Sequence, residues 1–243
     1  MSADSGTPVE KKRTRWHALR RLIPVPTRQA PVADLEVLRA QLDDDDPQVA
    51  QLGARELLAA SLSAGTEPDD ADWHRLVRVA RSPATHPVLA GAIASGLVWY
   101  RCLNVLRSVV SEQRPADEER VASIVELAEF AVDVCPERAT SPVALALVRI
   151  FLRRPLAASE LLRHIEPSAE PRADATVDCV RAIAALYLGD LAEAQRLTAD
   201  VAPDAATTRI RQYTQWLLAE TLRTGTAPQL VVRINASAGA PSD

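Results

Sequence analysis

Four carboxylates in a row, Asp43 to Asp46, are the densest chemical feature of this chain, and carboxylate oxygens are the ordinary ligands of hard cations. Consecutive residues cannot all point at one ion, however, and calcium loops use alternate positions with a distant glutamate. Asp46 stands directly before Pro47, where a side-chain oxygen can cap the first free N–H groups of a helix and the dipole favours its acidic neighbours. The run is therefore expected to be capping chemistry. Asp69, Asp70 and Asp72 precede another apolar stretch and are read the same way. Trp73 follows on the face of Leu76, Val77 and Ala80, which directs it to the core.

Other chemistry is sparse. His17, His74, His86 and His164 are scattered, with no metal or triad spacing, and no phosphate loop, dinucleotide fingerprint, Cys-x-x-Cys or nucleophile elbow occurs. Cys102, Cys135 and Cys179 each lie in an apolar helical stretch and read as buried reduced thiols. Gly91 and Gly96 fall mid-helix with no lysine behind them, so they fit close helix approach better than phosphate binding. Asn235-Ala236-Ser237 is a glycosylation sequon by pattern only. No metal, cofactor or catalytic residue is expected.

Arginine carries more. Arg149 and Arg153 are one turn apart and share a helix face. Arg181 with Tyr187 follows in the next segment, then Arg211, Gln212 and Gln215. On adjacent helices these side chains would line one groove and orient the carboxylates of an acidic or C-terminal peptide. Charge reversal at Arg149 and Arg181 is then expected to weaken partner binding without unfolding.

Net charge is −4, unevenly placed. Residues 1–30 hold seven Lys or Arg against Asp4 and Glu10, or +5; the remainder holds 21 Arg against 30 acids, or −9. An acidic body is the wrong electrostatics for nucleic acid, which needs a basic face. The basic arm of Lys11, Lys12, Arg13, Arg15, Trp16, Leu19, Arg20 and Arg21 reads as a short amphipathic helix, its apolar stripe continued by Leu22 and Ile23. Three contacts fit it: an anionic membrane, nucleic acid, or an acidic partner including the chain's own body. No apolar run follows the arm to make a secretory signal. The most apolar stretch, Val88 to Tyr100, is too short to span a bilayer. The expected location is cytoplasmic, with peripheral membrane association through the arm. Two lysines against 26 arginines is a bias of GC-rich bacterial genomes.

The elements that would position these residues are nearly all helical. Periodicity and end signals predict helices near 33–43, 47–63, 70–82, 87–112, 116–135, 142–153, 156–166, 173–188, 190–202 and 205–224. Pro47, Pro87, Pro142 and Pro155 stand in first turns, and Gly65, Gly189 and Gly225 at ends. Gln229 to Ile234 fits either a short strand or a frayed capping helix. Two rhythms run through the series. Asp46-Pro47-Gln48-Val49-Ala50 returns 40 residues later as His86-Pro87-Val88-Leu89-Ala90. The stretch from Leu156 to Leu162 returns with a period of 36 in Asp190 to Leu197. Such periods mark stacked helix pairs. The expected fold is all-α: an α-solenoid of stacked antiparallel helix pairs behind a flexible basic arm (1–31), with helical repeats over 32–115 and 116–228 and a terminal segment over 229–243.

Leu38 to Leu58, with its Asp46-Pro47-Gln48-Val49 turn, resembles a HEAT repeat, and Leu76 to Trp99 keeps part of that pattern. Ala184 to Ala194, built around Gly189-Asp190, resembles a tetratricopeptide (TPR) unit. Upstream, Ala158 and Leu162 hold the equivalent positions and Arg153-Arg154 replaces Gly-Asp. Both resemblances imply a curved scaffold that binds a protein or peptide on its concave face. The expected function is a non-catalytic adaptor. One alternative is a regulatory subunit tethered by residues 11–23. The other is a HEAT-like DNA glycosylase, in which Trp73, Trp99 and Trp216 with the Asp clusters would read the base.

Overall fold

The computed structural model describes residues 35–64, 68–136, 140–165, 171–199 and 208–233, and over these the protein is all-α apart from two residue pairs of strand. Helix α1 spans Leu35–Leu42, α2 Pro47–Ala64, α3 Asp70–Arg81 and α4 Pro87–Ser111. Strand β1, Ala116–Asp117, leads into the short α5, Glu118–Ala122, and α6, Val125–Val134. Then come α7, Thr140–Phe151, α8, Pro155–Arg163, α9, Pro171–Leu188, α10, Leu191–Ala199, α11, Thr208–Thr224, and β2, Val231–Val232.

The starts follow local chemistry. Asp46 accepts from the Gln48 N–H at 2.8 Å, and Asp69 accepts from the Asp72 N–H at 2.8 Å, as capping requires. Pro47, Pro87 and Pro155 open α2, α4 and α8, where no N–H is needed. The single helix expected over 116–135 is instead divided into β1, α5 and α6, with Asp117 capping α5 through the Arg120 N–H. Glycines let the helices approach closely: a Cβ on Gly91 would stand 2.6 Å from the Cβ of Cys135, and one on Gly96 would stand 2.8 Å from a methyl of Leu58.

Helix α4 is the spine. The apolar stretch read as ending at Tyr100 continues as helix to Ser111, long and apolar enough to cross a membrane by length and composition. Twelve of its residues are buried, and it packs against α2, α3, α6, α7 and α11. The buried side chains from Leu38 to Val231 form one continuous cluster, so both repeat segments share a core. Trp73, Trp99 and Trp216 are half-buried against it, and Cys102, Cys135 and Cys179 are buried free thiols.

A 36-residue period is visible in the backbone. Arg153, Gly189 and Gly225 stand 36 apart (153, 189, 225), and all three have left-handed φ, +60°, +84° and +78°. Each ends a helix, and at the first two the chain closes with the same six-residue bond, Arg154 N–H to Arg149 C=O and Asp190 N–H to Ala185 C=O, the Schellman pattern. Helices α8 and α10 begin two residues later, at Pro155 and Leu191. After Gly225 no helix follows within the described residues. The chain instead extends, and Val231–Val232 pairs in parallel with Ala116–Asp117, the strand alternative for this segment. β-branched Val231 and Val232 favour that extended path. Three further ties fasten it: Arg153 donates to Val231 C=O at 3.3 Å, Tyr187 donates to Pro228 C=O, and Arg233 lies 3.7 Å from Glu118.

Candidate partner-binding site

Lys11, Lys12, Arg13, Arg15, Trp16, Leu19, Arg20 and Arg21 lie outside the described residues, as does Gly65. The remaining expected site residues are distributed over α7, α9 and α11, and most have their polar atoms engaged inside the fold. Arg149 donates to Ala157 C=O at 3.4 Å across the α7–α8 corner. Arg153 and Tyr187 hold the terminal segment, as above. Arg181 pairs with Asp178 at 3.2 Å and donates to Leu162 C=O at 3.0 Å and Ile165 C=O at 3.3 Å. It thereby joins the Ile165 N–H on the Leu162 carbonyl at the end of α8 and reaches the Ile165 carbonyl just past it. Arg211 is half-buried, its Nε enclosed without a hydrogen-bond partner among the described residues. Gln212 and Gln215 are exposed on α11.

Charge reversal at Arg181, expected to weaken partner binding without unfolding, would also remove its contacts to the Leu162 and Ile165 carbonyls and so cost some stability.

Of this set, only Gln215 lines the larger cleft. It lies between α10 and α11, holds about 350 Å³, and is formed by Gln195, Thr198, Ala199, Gln215, Leu218, Ala219 and Leu222. Leu222 is 52% exposed, an apolar side chain facing water beside two carboxamides. Ion pairs within single helices flank it: Arg196 on Glu193 at 2.7 Å, and Arg223 on Glu220. Both carboxyls are held below the ordinary glutamate range by these partners, so the rim is charged but locally neutral. Cys179, beneath the α9–α11 contact, has its thiol pushed up to about 11 by burial and stays protonated at neutral pH.

The cleft has a place in the repeat. Corner Arg153 leads into α8 and corner Gly189 into α10, so corner Gly225 would lead into a helix starting two residues later. Since α8 packs on α7 and α9, and α10 on α9 and α11, a helix there would pack on α11. After Gly225 the described residues run to β1 and place no helix on α11.

Comparison with protein-family models, curated proteins and solved structures finds no match for this chain.

A second polar cluster stands at the other end of the molecule, and sequence reasoning missed it. Asp72, expected to serve only as a first-turn acid, is 3% exposed. Arg39 of α1 reaches it from Nε at 3.0 and 3.1 Å and from Nη2 at 2.9 Å, and Arg75 from Nη1 at 3.3 Å. Arg39 also contacts Glu36 at 3.1 Å and Asp69 at 2.9 Å. Its guanidinium is raised well above its ordinary value, chiefly by the bond to Asp72. Within the Asp43–Asp46 run, Asp44 accepts from the Asp46 N–H at 2.8 Å, and Asp43 is bound by Arg78 and, at 3.0 Å, by Arg75. The run is thus turn, cap and clasp between α1 and α3. No repeat period connects Arg39 to an acid 33 residues on, so nothing in the sequence pattern pointed to the pair.

Asp43 makes the clasp pH-sensitive. Its carboxyl lies below the ordinary aspartate value of 3.8, first through the Arg78 bond. A carboxyl lowered in the folded state stabilises fully above its unfolded pKa and loses that contribution as pH falls through the folded one. The melting temperature should therefore decline in acid from about pH 5 downward, and Arg78→Ala should make the decline shallower. Parallel melting curves against pH for the two proteins would remove Asp43 from the acid limb.

Proposed function

We propose that this chain is a non-catalytic binding module that seats an amphipathic helix of a partner protein between α10 and α11. In this reading the helix pairs stack antiparallel as an α-solenoid, HEAT-like over 32–115 and TPR-like over 116–228. The observation that carries it is an apolar cleft of about 350 Å³ between α10 and α11, beside a third 36-residue corner after which the described residues supply no helix. Leu218, Ala219 and Leu222 would bury the partner's apolar face, and Gln195 and Gln215 would meet its polar edge, the usual division in helix-in-groove recognition. A neutral rim favours a ligand chosen by shape and apolar spacing over one chosen by charge. That choice replaces the arginine-led recognition expected above.

Selection from a displayed peptide library on the full chain tests this. Enriched peptides should carry apolar residues at i, i+3 or i+4 and i+7. They should lose at least tenfold in affinity for Leu222→Asp, about 1.4 kcal/mol, with the melting temperature held. Undiminished affinity for that variant would move the binding surface elsewhere.

A further inference from the structure

Helices α1 and α2 form the N-terminal end of the described array, and the end of a stacked-repeat protein requires a polar outer face to remain soluble. At this end part of the described face is apolar. Leu35, Val37 and Leu52 are 43%, 52% and 40% exposed. Around them the surface carries acids: from Glu36 to Glu56 stand six carboxylates (Glu36, Asp43 to Asp46, Glu56) against Arg39 and Arg55, with Arg75 and Arg78 of α3 turned onto Asp43. Arg39 faces Asp72, and Asp44 and Asp45 are exposed.

We infer that this face is covered by the chain's own residues 11–23. That segment carries six cations and no acid, with Trp16, Leu19, Leu22 and Ile23 in a helix-spaced stripe. It complements the face in both respects: apolar stripe to Val37 and Leu52, cations to the exposed Asp44, Asp45 and Glu56. The α10–α11 cleft offers apolar surface too, but its rim charges cancel within each helix, so charge directs the arm to α1–α2. Reach is sufficient. Residues 24–34 can extend to about 36 Å, longer than α2 at about 27 Å. A short tether of this kind gives millimolar effective concentration, so a weak contact suffices to keep the end covered. The inference stands independently of the function proposed for the cleft.

Hydrogen exchange of the full chain, read over residues 11–23 at several protein concentrations, tests it. Arm amides should exchange at least tenfold more slowly than a coil. The slowing should vanish in 1 M salt, in Val37→Asp/Leu52→Asp, and in Asp44→Asn/Asp45→Asn/Glu56→Gln, all substitutions at exposed sites that leave the core unchanged. Coil-rate exchange in the unmodified chain overturns the inference, and so does slowing that survives the face variants. Loss of slowing with Leu222→Asp instead would place the arm in the α10–α11 cleft. Slowing that grows with concentration would mean the arm covers a second copy, and slowing only with phosphatidylserine vesicles would mean it lies on lipid. Each of those three results also overturns it.

Discussion

Phe151→Ala is expected to cost about 3–5 kcal/mol of unfolding free energy, the range for removing a fully buried aromatic ring. Phe151 closes α7 at 1% exposure and is among the largest fully enclosed side chains. It stands immediately before the Arg153 corner and lines a small enclosed space with Leu152, Glu118 and Val231. Truncation would leave a void beneath the β1–β2 pairing, where neighbours are fixed by backbone bonds and cannot collapse into it. Phe151→Leu, which keeps most of the volume, should cost much less, about 1.5 kcal/mol or under. Chemical denaturation of the three proteins decides this. Equal losses for Ala and Leu would mean that the ring's shape, and not the filled volume, matters at this position.

Asp72→Ala is expected to cost about 2–3 kcal/mol, less than the full penalty for breaking a buried ion pair. The reduction has a physical reason. Arg39 and Arg75 are each about one-third exposed, and both retain other acids, Glu36 and Asp69 for the first and Asp43 for the second. The partners left behind are thus neither desolvated nor alone. Because the carboxylate itself is nearly enclosed, added salt should restore little of the difference between the two proteins. A loss below about 0.5 kcal/mol, typical of an exposed pair, would show that the α1–α3 clasp is held by its leucines alone.

Most helices of the N-terminal half were legible because their ends carry strong local signals: Pro47, Asp69 and Pro87 open α2, α3 and α4 within a residue of expectation. Gly189 and Gly225 were legible as helix ends for the same reason. Arg153 was placed opposite Gly189 by the TPR-like alignment of Arg153-Arg154 with Gly189-Asp190, although a left-handed arginine has no compositional signature. The break of 116–135 into β1, α5 and α6 depends on Val231–Val232, 115 residues away, and periodicity within a window cannot register it. Within the fold, Arg149, Arg153 and Arg181 hold carbonyls of their own chain. Arg149 lies on α7, but Arg153 falls past its end at Phe151 on a left-handed corner, so the two do not share a helix face; a guanidinium near a helix end is drawn to its own chain's carbonyls as readily as to a partner's carboxylate. Leu218, Ala219 and Leu222 were missed because an apolar stripe on a helix ordinarily signals core.

The β1–β2 pairing also fixes an order of events during synthesis. Ala116 must wait for Val231, 115 residues downstream (231 − 116), before its partner exists. At about 5–20 residues per second, that delay is roughly 6–23 s. During this interval the edge of β1 and the corner above Phe151 lack their final cover on the growing chain. The middle of the chain thus stays without this cover until Val231 and Val232 have been made.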